Sequence, residues 1–89
     1  MKNIYKITVI IPVYNSSLFI NRCINTLYKQ DFKKSFEVIF IDDASTDNTI
    51  KIIKEKNLKN ISIFNLISNS GPSTARNIGL KHARGEYIY

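Results

Sequence analysis

The sequence predicts an α/β fold, a parallel sheet with flanking helices in the order β-α-β-α-β-α-β. Short apolar runs rich in β-branched residues alternate with amphipathic segments along the 89 residues. Strands that alternate with amphipathic segments of helix length are typical of consecutive βαβ units, in which the strands run parallel. No internal repeat or flexible linker interrupts this alternation, so residues 1–89 are expected to form one domain or part of one.

The first strand is predicted over residues 6–12, a run dominated by β-branched residues. Pro12 is expected to end this strand, because proline has no N–H to donate to the ladder. Ser16 or Ser17 can then cap a helix that runs to about Lys29. Apolar side chains recur within that helix at the i, i+3, i+4 and i+7 spacing of a single face.

A second strand is predicted over residues 36–41, which is apolar on both faces except at Glu37, as expected for a strand covered on both sides. Asp47 can cap the helix that follows, because its carboxylate can accept a free N–H of the first turn. Ile50 and Ile53 then lie on one side of this helix and lysines on the other, which makes it amphipathic.

The third strand is predicted over residues 61–67. Gly71 and Pro72 open the third helix, where proline is favoured because the N–H that it lacks would be unpaired in any case. Gly85 is expected to end this helix as a C-terminal cap. A fourth strand begins in residues 86–89, so the whole alternation is that of a Rossmann-like sheet.

Composition excludes several classes of protein. No apolar run approaches the roughly 20 residues that a transmembrane helix needs. The net charge of +6 is dispersed and lacks an aromatic-interleaved basic cluster, so no nucleic-acid binding is expected. Cys23, the single cysteine, has no partner for a disulfide or zinc site and is interpreted as a packing residue. Without a secretory signal, the protein is expected in the cytoplasm, free or at the cytoplasmic face of the membrane.

Three loops are candidate ligand sites, because a parallel α/β sheet binds its ligands at the carboxyl ends of its strands. They are residues 12–17, 42–47 and 68–73. In the first loop Pro12 restrains the backbone, Tyr14 can offer an aromatic face to a nucleobase and Asn15 can stabilise the turn. Taken alone, this loop is a weak indication of function.

Two adjacent carboxylates, Asp42 and Asp43, follow the second strand. Helix capping by Ser45 or Asp47 explains the polar residues after them but leaves this pair unexplained. A carboxylate at this position can accept the ring N–H of uracil or the hydroxyls of ribose, which are donors that need an acceptor. Asp43 therefore indicates nucleoside recognition rather than capping, while for Asp42 a ligand contact and a capping role both stay open.

The third loop leads into a helix at Gly71 and Pro72. A helix N-terminus presents free N–H groups and the positive end of the helix dipole, both of which suit a phosphate. Arg76, one turn further along, adds forked donors for a phosphate or a base carbonyl. Alternatively, Arg76 pairs with a carboxylate such as Asp42, and the two roles are compatible.

Four stretches, in this order and at these spacings, resemble the N-terminal part of family 2 glycosyltransferases, which have the GT-A fold. They are residues 9–15, 38–49, 69–80 and 85–88, and the resemblance extends over about residues 7–89. It implies an enzyme of polysaccharide biosynthesis that transfers a hexosyl group from a nucleotide-sugar donor with inversion. A UDP-sugar is the expected donor.

The resemblance also implies which residues bind the donor nucleotide. The candidates are Pro12, Tyr14, Asn15, Asp42, Asp43 and Arg76. Where the family has Asp-Asp-Gly-Ser, this sequence has alanine in place of glycine. We therefore expect no obligatory positive φ at Ala44, since that conformation favours glycine.

Family members continue into an Asp-x-Asp motif that binds a metal, and then into an acceptor half with a catalytic base. Neither follows Tyr89, so the resemblance implies no catalytic residue and no metal ligand within these 89 residues. It implies a divalent Mg or Mn cofactor and a saccharide or lipid-linked acceptor for the full enzyme. This stretch alone is expected to bind the donor, to be inactive and to form a homodimer through residues 86–89.

A non-catalytic α/β interaction or nucleotide-binding module is the alternative that stays open. Two other classes do not fit the sequence. A phosphoacceptor receiver domain would have its acid pair after the first strand, where Pro12 stands. A dinucleotide-binding unit would have Gly-x-Gly-x-x-Gly there, and the three glycines lie elsewhere.

Overall fold

The computed structural model describes residues 5–29 and 35–89, within which the predicted elements follow one another in the predicted order. They are β1 (Tyr5–Val13), α1 (Ile20–Lys29), β2 (Phe36–Asp42), α2 (Thr49–Glu55), β3 (Ile61–Asn65), α3 (Pro72–His82) and β4 (Gly85–Ile88). The strand ends differ from the prediction by one or two residues, as is usual for element boundaries. None of the helices in these two ranges is long and apolar enough to cross a membrane.

The strands form a parallel sheet in the order β3-β2-β1-β4, which confirms the predicted fold class. The chain proceeds from β1 outward to β3 and then crosses back to place β4 on the other side of β1. Because such crossovers are right-handed, α1 and α2 cover one face and α3 covers the other. The direction of winding therefore reverses at β1, whose carboxyl end is the expected place for a ligand crevice.

Pro12 does not end β1, which continues to Val13. The main chain explains why, since the N–H of Ile10 donates to the carbonyl of Tyr89 at 2.8 Å on the β4 side. Alternate residues of a strand point the same way, so the N–H that Pro12 lacks would also point to the β4 side. Pro12 therefore lies opposite Ile41 of β2 without breaking the ladder between these strands.

Apolar clusters cover both faces of the sheet. Phe40 and Ile53 are buried between the sheet and the α1/α2 layer, while Ile39 packs with Ala75 of α3 on the other face. β2 contributes to both clusters, as its apolar sequence predicted. Cys23 is partly buried against the first cluster, which confirms its role in packing, and this burial raises the pKa of its thiol.

Helix α1 begins at Ile20, later than the predicted side-chain cap at Ser16 or Ser17. Ser16 contributes through its main chain, because its carbonyl accepts the N–H of Phe19 at 2.9 Å and of Ile20 at 2.8 Å. Its hydroxyl instead donates to the carbonyl of Tyr14 at 3.2 Å. A turn therefore precedes the helix, and the prediction of a serine side-chain cap was wrong.

Gly85 is not the helix cap that was predicted, because α3 ends at His82 and Gly85 begins β4. A Cβ atom on Gly85 would lie 2.5 Å from the main-chain nitrogen of Thr8, which is far inside contact distance. Glycine is required here because β4 approaches β1 closely. Gly79 serves α3 in a similar way, since a Cβ there would lie 2.5 Å from Cγ2 of Ile10.

A buried polar cluster ties β4 to the amino ends of β1 and β2. Glu37 is 2% exposed, and its carboxylate accepts the hydroxyl of Thr8 at 2.7 Å and the N–H of Arg84 at 2.6 Å. The guanidinium of Arg84, which is half exposed, adds an ion pair at 3.2 Å. The hydroxyl oxygen of Thr8 in turn accepts the N–H of Gly85 at 2.7 Å. The one charged residue of the predicted second strand is thus buried with its hydrogen-bonding needs met.

Candidate functional site

The three loops selected from the sequence lie side by side at the carboxyl edge of the sheet. Val13 pairs with Asp42, and Asp42 pairs with Asn65, so the ends of β1, β2 and β3 are level. Main-chain hydrogen bonds continue past these ends, from the N–H of Asp43 to Val13 at 2.9 Å and from the N–H of Leu66 to Asp42 at 2.8 Å. The residues after the three strands are therefore brought to one edge, as the parallel sheet predicted.

Asp43 anchors the start of α3. Its side chain is buried, at 5% exposure, and its carboxylate accepts the N–H of Ser70 at 2.7 Å and of Gly71 at 2.9 Å. Gly71 has a φ of +90°, which glycine adopts readily, so the turn before α3 depends on both residues. A carboxylate has about four acceptor sites, and these two bonds leave the charge of Asp43 able to accept a further donor.

The turn between the acid pair and Ser45 keeps a left-handed residue. Ala44 has a φ of +65°, so the expectation that alanine would remove a positive φ here was wrong. This conformation costs an L-residue about 1–2 kcal/mol. The contacts on either side impose it, because buried Asp42 accepts the N–H of Ser45 at 3.2 Å while Asp43 is held against the third loop.

A row of hydrogen bonds joins the first loop to the segment 45–49. Three consecutive N–H groups of the first loop donate to side chains of that segment. The pairs are Asn15 to Ser45 Oγ at 2.9 Å, Ser16 to Thr49 Oγ1 at 2.8 Å and Ser17 to Asp47 Oδ2 at 3.1 Å. In return, Oδ1 of Asn15 accepts the N–H of Thr46 at 2.8 Å. Asn15, a candidate nucleotide-binding residue, therefore stabilises the contact between the two loops.

Asn48, not Asp47, occupies the N-cap position of α2, so the predicted cap was placed one residue too early. From the position before it, Asp47 still contacts both the start of the helix and the first loop. Its Oδ1 accepts the N–H of Thr49 at 3.0 Å and the Thr49 hydroxyl, while its Oδ2 accepts the N–H of Ser17. The Thr49 hydroxyl is the main cause that lowers the pKa of Asp47 from its ordinary 3.8 to about 2. Because the pKa is lower in the folded state, these contacts stabilise the fold above the ordinary pKa and are lost as pH falls through about 2.

Two other candidates present exposed side chains at this edge. Tyr14 is 51% exposed in the first loop, and Arg76 is exposed one turn into α3. Neither side chain has a hydrogen-bond or ion-pair partner in the part of the chain that the structure describes, so the alternative pairing of Arg76 with Asp42 is not formed there. The N–H groups of Ser73 and Thr74, at the start of α3, are likewise unpaired within that part.

The residues at this edge do not make a metal site by themselves. In ranges 5–29 and 35–89, no three side chains of His, Cys, Asp or Glu lie close enough together to hold a metal ion. Asp42 and Asp43 offer two carboxylates, whereas Mg²⁺ requires near-octahedral coordination by oxygen atoms. A metal ion bound here would need further ligands.

The family model described as glycosyl transferase family 2 matches residues 8–89. The chain belongs to this family. A family 2 relative, the poly(ribitol-phosphate) beta-N-acetylglucosaminyltransferase TarS of Staphylococcus aureus, is 46% identical over 86 residues. The match covers 93% of this chain and 15% of TarS, so this chain spans only a small part of the length of that relative.

Solved structures of glycosyltransferases share the fold. The crystal structure of S. aureus TarS 1-349 in complex with UDP-GlcNAc matches with a TM-score of 0.87 and 45% identity, over 93% of this chain and 25% of that one. The mannosyltransferase PcManGT from Pyrobaculum calidifontis, in complex with GDP-Man and Mn²⁺, matches with a TM-score of 0.84 and 30% identity, over 94% of this chain and 26% of that one. These likenesses confirm the GT-A fold that the sequence motifs implied.

Sequence reasoning missed the contacts that the segment 45–49 makes with the first loop. Asp47 and Ser45 were interpreted only as caps of α2. A signal was present, because the segment carries five consecutive short polar side chains directly after a strand that neighbours β1. In a parallel sheet the loops after neighbouring strands lie side by side, so side chains of this kind can bind the N–H groups of the adjacent loop.

Proposed function

We propose that this chain binds the nucleotide of a UDP-sugar donor, as part of an inverting glycosyltransferase with a saccharide or lipid-linked acceptor. One observation carries the proposal. A single edge of the sheet brings together the carboxylates of Asp42 and Asp43 with exposed Tyr14 and Arg76. Among the described residues, the two carboxylates accept only main-chain N–H groups and Arg76 has no ion-pair partner. Membership of family 2 and the likeness to structures that contain UDP-GlcNAc and GDP-Man support it.

Each of these groups has a matching partner on a uridine diphosphate. The ring of Tyr14 can stack on uracil, and the spare acceptor capacity of Asp43 can receive the uracil N–H or a ribose hydroxyl. Arg76 and the free N–H groups at the start of α3 suit the diphosphate, because forked donors and the positive end of a helix dipole favour anionic oxygens. Pro12 and Asn15 restrain the loop that carries Tyr14.

A divalent ion, Mg or Mn, is proposed as the cofactor of the longer enzyme, and the Mn²⁺ in the PcManGT complex supports this. The described residues form no cluster that could hold it. Donor binding is therefore the only step proposed for this chain. The 89 residues alone are expected to show no sugar transfer or donor hydrolysis.

Two further proposals concern the setting of the chain. A cytoplasmic location, free or at the membrane face, is testable by fractionation of cells that express the chain.

Self-association through β4 is supported by the exposure of Tyr87, Ile88 and Tyr89, since exposed apolar patches are relieved by pairing. Sedimentation would contradict self-association if the chain stayed monomeric at micromolar concentration.

Calorimetric titration with UDP tests the proposed function. Arg76→Ala should weaken UDP binding by about 1.5–3 kcal/mol, the range for hydrogen bonds to a charged group. Its thermal stability should hardly change, because the side chain is exposed and unpaired within the described residues.

Lys81→Ala is the matched control, since it removes the same charge from the last turn of the same helix. Its effect on UDP affinity should be within about twofold, because Lys81 lies nine residues beyond the start of α3. At about 1.5 Å per residue that is roughly 13 Å from the proposed diphosphate site, which exceeds the Debye length of about 8 Å at physiological ionic strength. A wild-type chain that binds no UDP, or equal losses in both variants, would refute the proposed function.

A further inference from the structure

We propose that Asp47 and Thr49 are positioning residues for nucleotide binding, which hold the first loop in the conformation that presents Tyr14. The inference rests on the proposed function, because the placement of Tyr14 affects affinity only if a nucleobase contacts its ring. Neither residue is among the six candidates that the sequence identified. Both act through the main chain of the first loop rather than through contact with the nucleotide.

The two side chains form one hydrogen-bonded unit that spans the loops. Thr49 is fully buried, donates its hydroxyl to Asp47 and accepts the N–H of Ser16 at 2.8 Å. Asp47 uses its other oxygen to accept the N–H of Ser17 at 3.1 Å. A hydroxyl that donates to a carboxylate becomes a better acceptor, so the bond from Ser16 is strengthened by the charge of Asp47.

The first loop depends on such support because three consecutive N–H groups of its main chain find their acceptors in the segment 45–49. After Val13 the chain turns at Asn15, which has a φ of +46°, a left-handed value that asparagine adopts more readily than most other residues with a side chain. The other contacts from the segment 45–49 to this loop pass through Asn15 and are exposed to water. Buried Thr49 is therefore the anchor best protected from competition by solvent.

A double-mutant cycle with Tyr14 separates positioning from general stabilisation. Thr49→Val keeps the side-chain shape but removes the hydroxyl, and it should weaken UDP binding about fivefold to tenfold. In a Tyr14→Ala background the same substitution should change the affinity by less than about twofold, because the loop then has no ring to place. Thr49→Ser, which keeps the hydroxyl, should restore most of the affinity.

The matched control is Thr8→Val at the opposite end of the sheet. Thr8 is also fully buried, and its hydroxyl also joins a carboxylate to a main-chain N–H. This variant should be destabilised like Thr49→Val yet bind UDP with unchanged affinity when titrated well below its unfolding midpoint. An equal loss of affinity in Thr8→Val would mean that stability alone sets binding, and would overturn the positioning role.

Amide hydrogen exchange gives a readout that does not need UDP. Thr49→Val should accelerate exchange at Ser16 and Ser17 by about tenfold or more while the amides of β2 stay protected. Unchanged exchange at these two amides would overturn the positioning role, as would equal effects of Thr49→Val with and without the Tyr14 ring. A wild-type chain that binds no UDP would instead overturn the proposed function, and exchange would still decide whether the pair holds the loop.

Discussion

Two buried carboxylates lie near opposite ends of β2, Glu37 within the strand and Asp43 directly after it, and their partners differ. At the amino end Glu37 is bound by the hydroxyl of Thr8 and by the N–H and guanidinium of Arg84. At the carboxyl end Asp43 accepts only the main-chain N–H groups before α3, while Arg76 stays without an ion-pair partner in the described ranges. The charge of Glu37 is thus neutralised inside the protein, and that of Asp43 is not.

This difference distinguishes a structural carboxylate from one available to a ligand. A buried charge is costly unless it is paired and fully hydrogen-bonded, and Glu37 meets both conditions. Asp43 has no ionic partner within the described residues, and only two neutral N–H groups bind it, so its charge and its remaining acceptor sites can still attract a donor from outside. Exposed Tyr14 lies at the same edge, whereas the amino-end cluster is closed by the approach of β4.

The largest effect is expected from Glu37→Ala, which should lower the free energy of unfolding by about 3 kcal/mol. It leaves the buried hydroxyl of Thr8 and the N–H of Arg84 without their acceptor, and such losses cost about 1–3 kcal/mol for each group. The affinity of the folded protein for UDP should not change. Urea denaturation and calorimetric titration would measure the two quantities.

Glu86→Ala is the control for that prediction, because Glu86 is an exposed carboxylate in an ion pair with Lys6 at 2.8 Å. Exposed pairs contribute little to stability, so this variant should unfold much like the wild type. If Glu37→Ala weakened UDP binding as strongly as it weakened the fold, the proposed contrast between the two ends would be wrong.

Asp43→Asn should affect both stability and binding. An amide offers one acceptor oxygen in place of two, so the N–H of Ser70 or of Gly71 loses its partner, at a cost of about 1–2 kcal/mol to folding. The lost charge should also weaken UDP binding by about 1.5–3 kcal/mol, the range for hydrogen bonds to a charged group. Thermal melts and UDP titration of this variant would check both, and an effect on stability alone would make Asp43 a second structural carboxylate.

The smallest effect is expected from Ala44→Gly, which should raise the free energy of unfolding by about 0.5–1 kcal/mol. Glycine removes the strain of a φ of +65°, and part of the gain is offset by its greater freedom in the unfolded chain. Ala75→Gly is the control of opposite sign, because buried Ala75 lies inside α3, where glycine is unfavourable. Destabilisation by Ala44→Gly in a urea titration would show that the turn is not strained.

Local patterns in the sequence were sufficient to predict the fold and the edge of the sheet at which the three candidate loops meet. The apolar spacing gave the strands and helices, the alternation gave the parallel sheet, and the sheet placed the loops of Tyr14, Asp43 and Gly71 at one edge. These predictions held because periodicity and turn residues act within a few positions along the chain. The four ordered motifs identified the family for the same reason, since they are a property of the sequence itself.

Only the tertiary structure decided how the polar side chains divide their roles. Asp43 is joined to Ser70 across 27 positions, and Glu37 to Arg84 across 47, through contacts that depend on the register of the sheet and on where α3 crosses it. The same packing places Thr8 against Gly85 and the segment 45–49 against the first loop. Hydrogen bonds between distant segments require distances of about 3 Å, and such distances arise only once the strands have paired and the helices have packed.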